Sequence, residues 1–66
     1  MNAVHLHAGQ IVSTPLWEGG QPVRIRDAVR DGNRMSVDFQ DVRCHHRAQR
    51  VEVPFGFEVD LVGGAR

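Results

Sequence analysis

Cysteine is almost absent from this 66-residue chain: Cys44 stands alone, so no intramolecular disulfide can staple the fold. Lysine is missing altogether, and arginine supplies every basic side chain. That favours geometrically directed guanidinium contacts over a loose polycationic tail. No continuous apolar run is long enough to cross a bilayer. Residues 1–7 lack the basic segment and apolar run of a secretory signal. A cytoplasmic protein with no membrane partner is the default expectation. The formal net charge is zero, which removes any global electrostatic case for a nucleic-acid partner. Gly19-Gly20 lacks the Walker context of a nucleotide site, and Cys44 has no Cys-x-x-Cys mate.

What the chain does have is alternation. Val51, Val53, Phe55, Phe57, Val59 and Leu61 fall on every second position, with Glu52, Glu58 and Asp60 among the residues between them. A period of two places apolar side chains on one face of a sheet. Pro54 lacks an N–H, so this run is either one curved strand or two strands bent near Pro54-Phe55-Gly56. Val23 and Ile25 alternate with Arg24 and Arg26, and the phase shifts near Ala28 and Val29, where a bulge or a bend is expected. Asp31-Gly32-Asn33 then precedes Met35, Val37 and Phe39, which predicts a hairpin over residues 23–39. Further strands are expected over 4–7 and 10–14, and a less regular one over 42–46. Pro15 interrupts pairing, and residues 16–22 form a shaped loop in which Trp17 either covers the barrel or projects from it.

The 41% hydrophobic composition is compatible with one small core. These patterns predict an all-β domain over residues 1–62, a five- or six-stranded partly open barrel. At the coarse architectural level it is SH3-like or Sm-like. Residues 63–66 read as a flexible tail. A chain this short gains from oligomerisation, which buries more apolar surface.

Two constellations are candidates for function. The first joins Arg24, Arg26, Arg30 and Arg34 with Arg43, Arg47 and Arg50, beside Trp17 as an aromatic platform. Guanidinium groups so placed bind phosphate bidentately or stack on bases. Between Arg24 and Arg50, seven arginines stand against four aspartates, a formal +3, and Glu52, Glu58 and Asp60 give −3 over residues 51–61. Ordinary cross-strand ion pairs would consume much of that positive surface. The second constellation is His5 and His7 with Cys44 and His46. If both segments are extended, each pair shares a face, and two neighbouring strands assemble a nitrogen–sulfur zinc site.

No carboxylate has a sequence context that supplies a mate or a substrate cleft, so no residue is assigned to catalysis. The expectation is a non-catalytic protein-interaction or regulatory accessory module, with a protein partner or another copy of itself. The alternative is a module for RNA or single-stranded DNA using the Arg and Trp surface. An exposed Arg patch with Trp17 available favours nucleic acid; neutralisation by Asp27, Asp31 and Asp38 favours protein.

Overall fold

A computed structural model describes residues 1–42 and 48–64. Five strands follow in chain order: β1 (Gln10–Ser13), β2 (Val23–Asp31), β3 (Arg34–Asp41), β4 (Ala48–Pro54) and β5 (Asp60–Gly64). Two short 3-10 turns, Ala3–His5 and Glu18–Gly20, complete the regular structure of the described residues. All pairings are antiparallel, in one sheet of order β4-β3-β2-β1-β5. The result is the small, partly open barrel that alternation predicts.

The hairpin forms because both its strands keep the period of two. Val23, Ile25, Met35, Val37 and Phe39 are buried, while Arg24 and Arg34 are exposed. Its two-residue turn, Gly32-Asn33, sits between the paired residues Asp31 and Arg34. Gly32 has φ of 66°, and Asn33 stays at negative φ. That is the type II′ pattern, which requires glycine at its first central position and matches the twist of the flanking strands. Ile25 lies opposite Phe39 and Asp27 opposite Asp38, so Arg26 is the extra residue of a bulge. The phase change visible at Ala28 and Val29 is its downstream consequence, because the inward phase resumes at Ala28, opposite Val37.

Beyond the hairpin, β4 pairs with β3 without interruption from Arg34–Pro54 to Gln40–Ala48. The last alternating run is therefore two strands. Pro54 ends β4, residues 55–59 turn the chain, and β5 returns beside β1. Gly63 and Gly64 pair with Ile11 and Gln10, so the strand continues past the boundary expected after residue 62. Val62 is bulged, because Ile11 faces Gly63 while the next residue, Val12, faces Leu61. The expected strand over 42–46 is not formed at Val42, which lies in the turn after β3; residues 43–47 lie outside the described residues.

The expected opening strand over 4–7 is a 3-10 turn at Ala3–His5 instead. Ala3 and Leu6, both buried, are three residues apart, the period of a 3-10 turn and not of a strand. The N-terminal segment caps the β4–β5 connection: Ala3 N–H donates to Phe57 O at 2.8 Å, Val4 N–H to Phe55 O at 3.2 Å, and Val59 N–H to Met1 O at 2.9 Å.

Trp17 sits at the centre of this arrangement. Its ring stacks on Phe39 at 4.6 Å between centroids and on Phe57 at 5.4 Å. One side chain from the β1–β2 loop thus ties β3 to the β4–β5 connection. The loop must bend sharply just after it. Glu18, Gly19 and Gly20 have φ of 51°, 63° and 92°, a left-handed run that glycine tolerates and glutamate does at some cost. Glu18 Oε1 accepts a short hydrogen bond from Gln49 Nε2, fastening the bend to β4.

Candidate interaction surface

The sheet sorts the predicted arginines onto different surfaces. Arg24 lies in an outward row between Ile11 on β1 and Gln40 on β3. Arg26 is exposed at the bulge, and Arg34 is exposed beside the hairpin turn. Arg30 is exposed as well but differs in phase. It pairs with Met35 in the inward phase, and its guanidinium carbon stands 5.6 Å from the centroid of Phe55, a cation–π contact at the barrel rim. Arg43 and Arg47 lie outside the described residues.

Trp17 is not available as a platform. Only 5% of it is exposed, so the structure takes the other expectation, a ring that closes the core. The indole is a large apolar surface, and here it is buried in stacked contact with Phe39 and Phe57.

Neutralisation by acidic neighbours is partial. Asp38 approaches Arg50 at 3.8 Å, and Arg50 Nη1 donates to Ser36 Oγ at 2.9 Å. Asp27 turns its carboxylate to the Ala28 N–H at 3.0 Å. Among the described residues, Arg24, Arg26 and Arg34 have no carboxylate at ion-pair distance. Neither arrangement expected from sequence is met in full: the arginines are not collectively paired, and their aromatic companion is inside.

The geometry assumed for zinc also changes. His5 ends the 3-10 turn, so it and His7 are not alternate residues of one strand. His7 is engaged locally: Gln10 Oε1 accepts its backbone N–H at 2.9 Å, Gln10 Nε2 lies 3.2 Å from its Nε2, and Ala8 O lies 3.3 Å from its Nδ1. Gln10, 3% exposed, uses both ends of its amide in this way. Cys44 and His46 lie outside the described residues. Among the described residues, no three His, Cys, Asp or Glu side chains gather as a metal site.

Which end of the sheet is open to pairing is what the sequence does not decide. From the turn at Gly32-Asn33, Asp31–Arg34 and Val29–Ser36 are the hydrogen-bonded pairs of β2 and β3, since bonded and non-bonded pairs alternate. The Ala28 N–H agrees, because it bonds the Asp27 carboxylate and not β3. Met35 and Val37 then direct their main-chain groups to Val53 and Val51. It follows that Arg50 and Glu52 point their own N–H and C=O groups away from the sheet. In the sequence only the alternation of Arg50 and Glu52 with Val51 and Val53 is visible, which marks a strand but not which of its main-chain groups stay free.

At the other end, β5 exposes Leu61 by 46% and Val62 by 57% beside its bulge. Among the described residues, no helix is long and apolar enough to cross a membrane. Comparison with known proteins finds no matching family model, no matching curated protein and no matching solved structure.

Proposed function

We propose that this chain is a non-catalytic interaction module, a regulatory or accessory barrel that recruits a protein by strand addition along the outer edge of β4. The observation that carries the reading is the edge itself. β4 has seven residues and an unbroken register, it ends the sheet, and among the described residues the outward main-chain groups of Arg50 and Glu52 face no other strand. Strand addition draws affinity from such groups and selectivity from the alternating side chains. A photo-crosslinking residue placed at position 50 or 52 of the full chain tests it in cells. Protein adducts from these positions, identified by mass spectrometry and absent when the probe replaces Val29, are the expected result. No protein adduct at either position overturns the reading.

A second reading, binding of RNA or single-stranded DNA, is favoured by the exposed Arg24 and Arg26 side chains, which have no ion-pair partner among the described residues. It has lost its stacking element, since base stacking requires an accessible ring face and Trp17 has none. Fluorescence anisotropy against a mixed RNA and single-stranded-DNA panel, across several salt concentrations, decides between the two. Saturable binding that disappears on combined Arg24→Ala and Arg26→Ala substitution moves the assignment to nucleic acid. No binding at low salt with folded protein removes it.

A further inference from the structure

We infer that the strand added to β4 is β4 of a second copy, which deepens the edge-recruitment reading above and rests on it. Two copies of β4 laid antiparallel about Val51 bring Arg50 of each opposite Glu52 of the other. Both residues are on the outward face: they are exposed and alternate with Val51 and Val53, opposite Asp38 and Ser36 on β3. Both also direct their main-chain groups to the free edge. Each Arg50–Glu52 pair across the junction is therefore a hydrogen-bonded pair of the ladder and an ion pair at once. On the inward face the same register sets Val51 against Val51 and Gln49 against Val53. At the ends, Ala48 meets Pro54, whose carbonyl accepts even though it has no N–H to give.

Charge selects this register over its neighbours. Centring the pair on residue 50 places Arg50 against Arg50, and centring it on residue 52 places Glu52 against Glu52. Like charges directly opposite each other are destabilising. Glu52 is exposed and has no partner among the described residues. Arg50 is 55% exposed in its side chain, and its contacts with Asp38 and Ser36 leave guanidinium donors unused. A symmetric pairing of this kind closes on itself as a dimer.

β5 does not offer the same solution. The bulge at Val62 puts Leu61 in the phase of the buried Val12 and Gly63 in the phase of the half-buried Ile11. An antiparallel copy centred on Val62 would oppose Leu61 to Gly63 and so pair residues from different faces. The bulge blunts that edge, as bulges on edge strands do.

Sedimentation equilibrium of the full chain over a concentration series tests the pairing, with circular dichroism to confirm folding. The native chain is expected to show a reversible dimer. Arg50→Glu and Glu52→Arg, alone, are each expected to weaken it at least about tenfold, a change of about 1.4 kcal/mol. An equimolar mixture of the two variants is expected to restore the dimer, because each then meets its opposite. If Arg50→Glu does not fold, amide exchange of the native chain serves instead. Exchange at Arg50 and Glu52 should slow as concentration rises, while exchange at Val62 does not. A native chain that stays monomeric, reversals without effect, or exchange at Arg50 and Glu52 independent of concentration each overturn the self-pairing. Crosslinks from positions 50 and 52 to a different protein would leave strand recruitment standing and identify the second copy as the part that failed.

Discussion

The two ends of the sheet solve the problem of an unpaired strand in opposite ways. β4 is regular and carries its charges outward in alternation, with Arg50 and Glu52 exposed and Val53 buried at 6%. β5 is shorter, bulged, and shows Leu61 and Val62 to solvent. Apolar exposure would single out β5 as the adhesive edge. Ladder geometry singles out β4, because a strand binds through main-chain groups in register and a bulge spoils that register. Stickiness and pairing competence are different properties, and this protein places them on different strands.

The contrast can be broken most completely at the element that holds both ends in place. Trp17→Ala removes the ring packed on Phe39 and Phe57 and should cost about 3–5 kcal/mol. Chemical denaturation is the measurement. A loss under about 1 kcal/mol would mean that the loop closes nothing.

A smaller effect separates the strands themselves. Val53→Ala should destabilise by about 2 kcal/mol through lost burial and the space left behind. Leu61→Ala, although it deletes more carbon, should cost less than about 1 kcal/mol, since nearly half of that residue is already in water. Paired urea titrations check the order. Equal losses would mean that Leu61 is covered in solution and would remove the distinction between the edges.

The smallest expected effect lies in the surface charges of β4. Asp38→Asn should change monomer stability by no more than about 0.5 kcal/mol, because the Arg50–Asp38 pair is long and well exposed on the arginine side. Denaturation at low protein concentration, repeated at raised salt, measures it. A loss of about 2 kcal/mol would show Arg50 committed to its own sheet and unfit to reach across to another.

Much of the fold was legible from side-chain phase. The hairpin from Val23 to Phe39 announced itself because each strand needed one dry face and one wet one. The strand at 10–14 was legible from its apolar residues Ile11 and Val12 ahead of Pro15. The opening segment was misread because Val4 and Leu6 mimic alternation, whereas burial follows Ala3 and Leu6 at a spacing of three. Gly63 and Gly64 read as a tail because glycine has little strand propensity, yet pairing with β1 overrides it.

The surface was less legible than the core, because side-chain phase locates residues on a face but does not reveal where each head group goes. Arg24 and Arg26 were placed correctly as outward residues. Arg30 was legible only as a residue flanking the turn; it is exposed there, but the extra residue at Arg26 sets it opposite Met35 and over Phe55, which no count of alternation shows. Nothing in the sequence told which main-chain groups of β4 remain free. That depends on counting bonded pairs from the turn at Gly32-Asn33, three strands' worth of register that only the assembled sheet supplies.

The stacking of the indole on two phenylalanines also makes the molecule its own reporter. Trp17 is the sole tryptophan and the chain has no tyrosine, so ultraviolet-excited emission arises almost entirely from one ring. That ring, carried by the β1–β2 loop, stacks on Phe39 of β3 and on Phe57 of the β4–β5 connection. A red shift in its emission therefore registers the parting of three chain segments distant in sequence. Folding, loop release and the disturbance of either sheet edge can each be followed optically, without attaching a label.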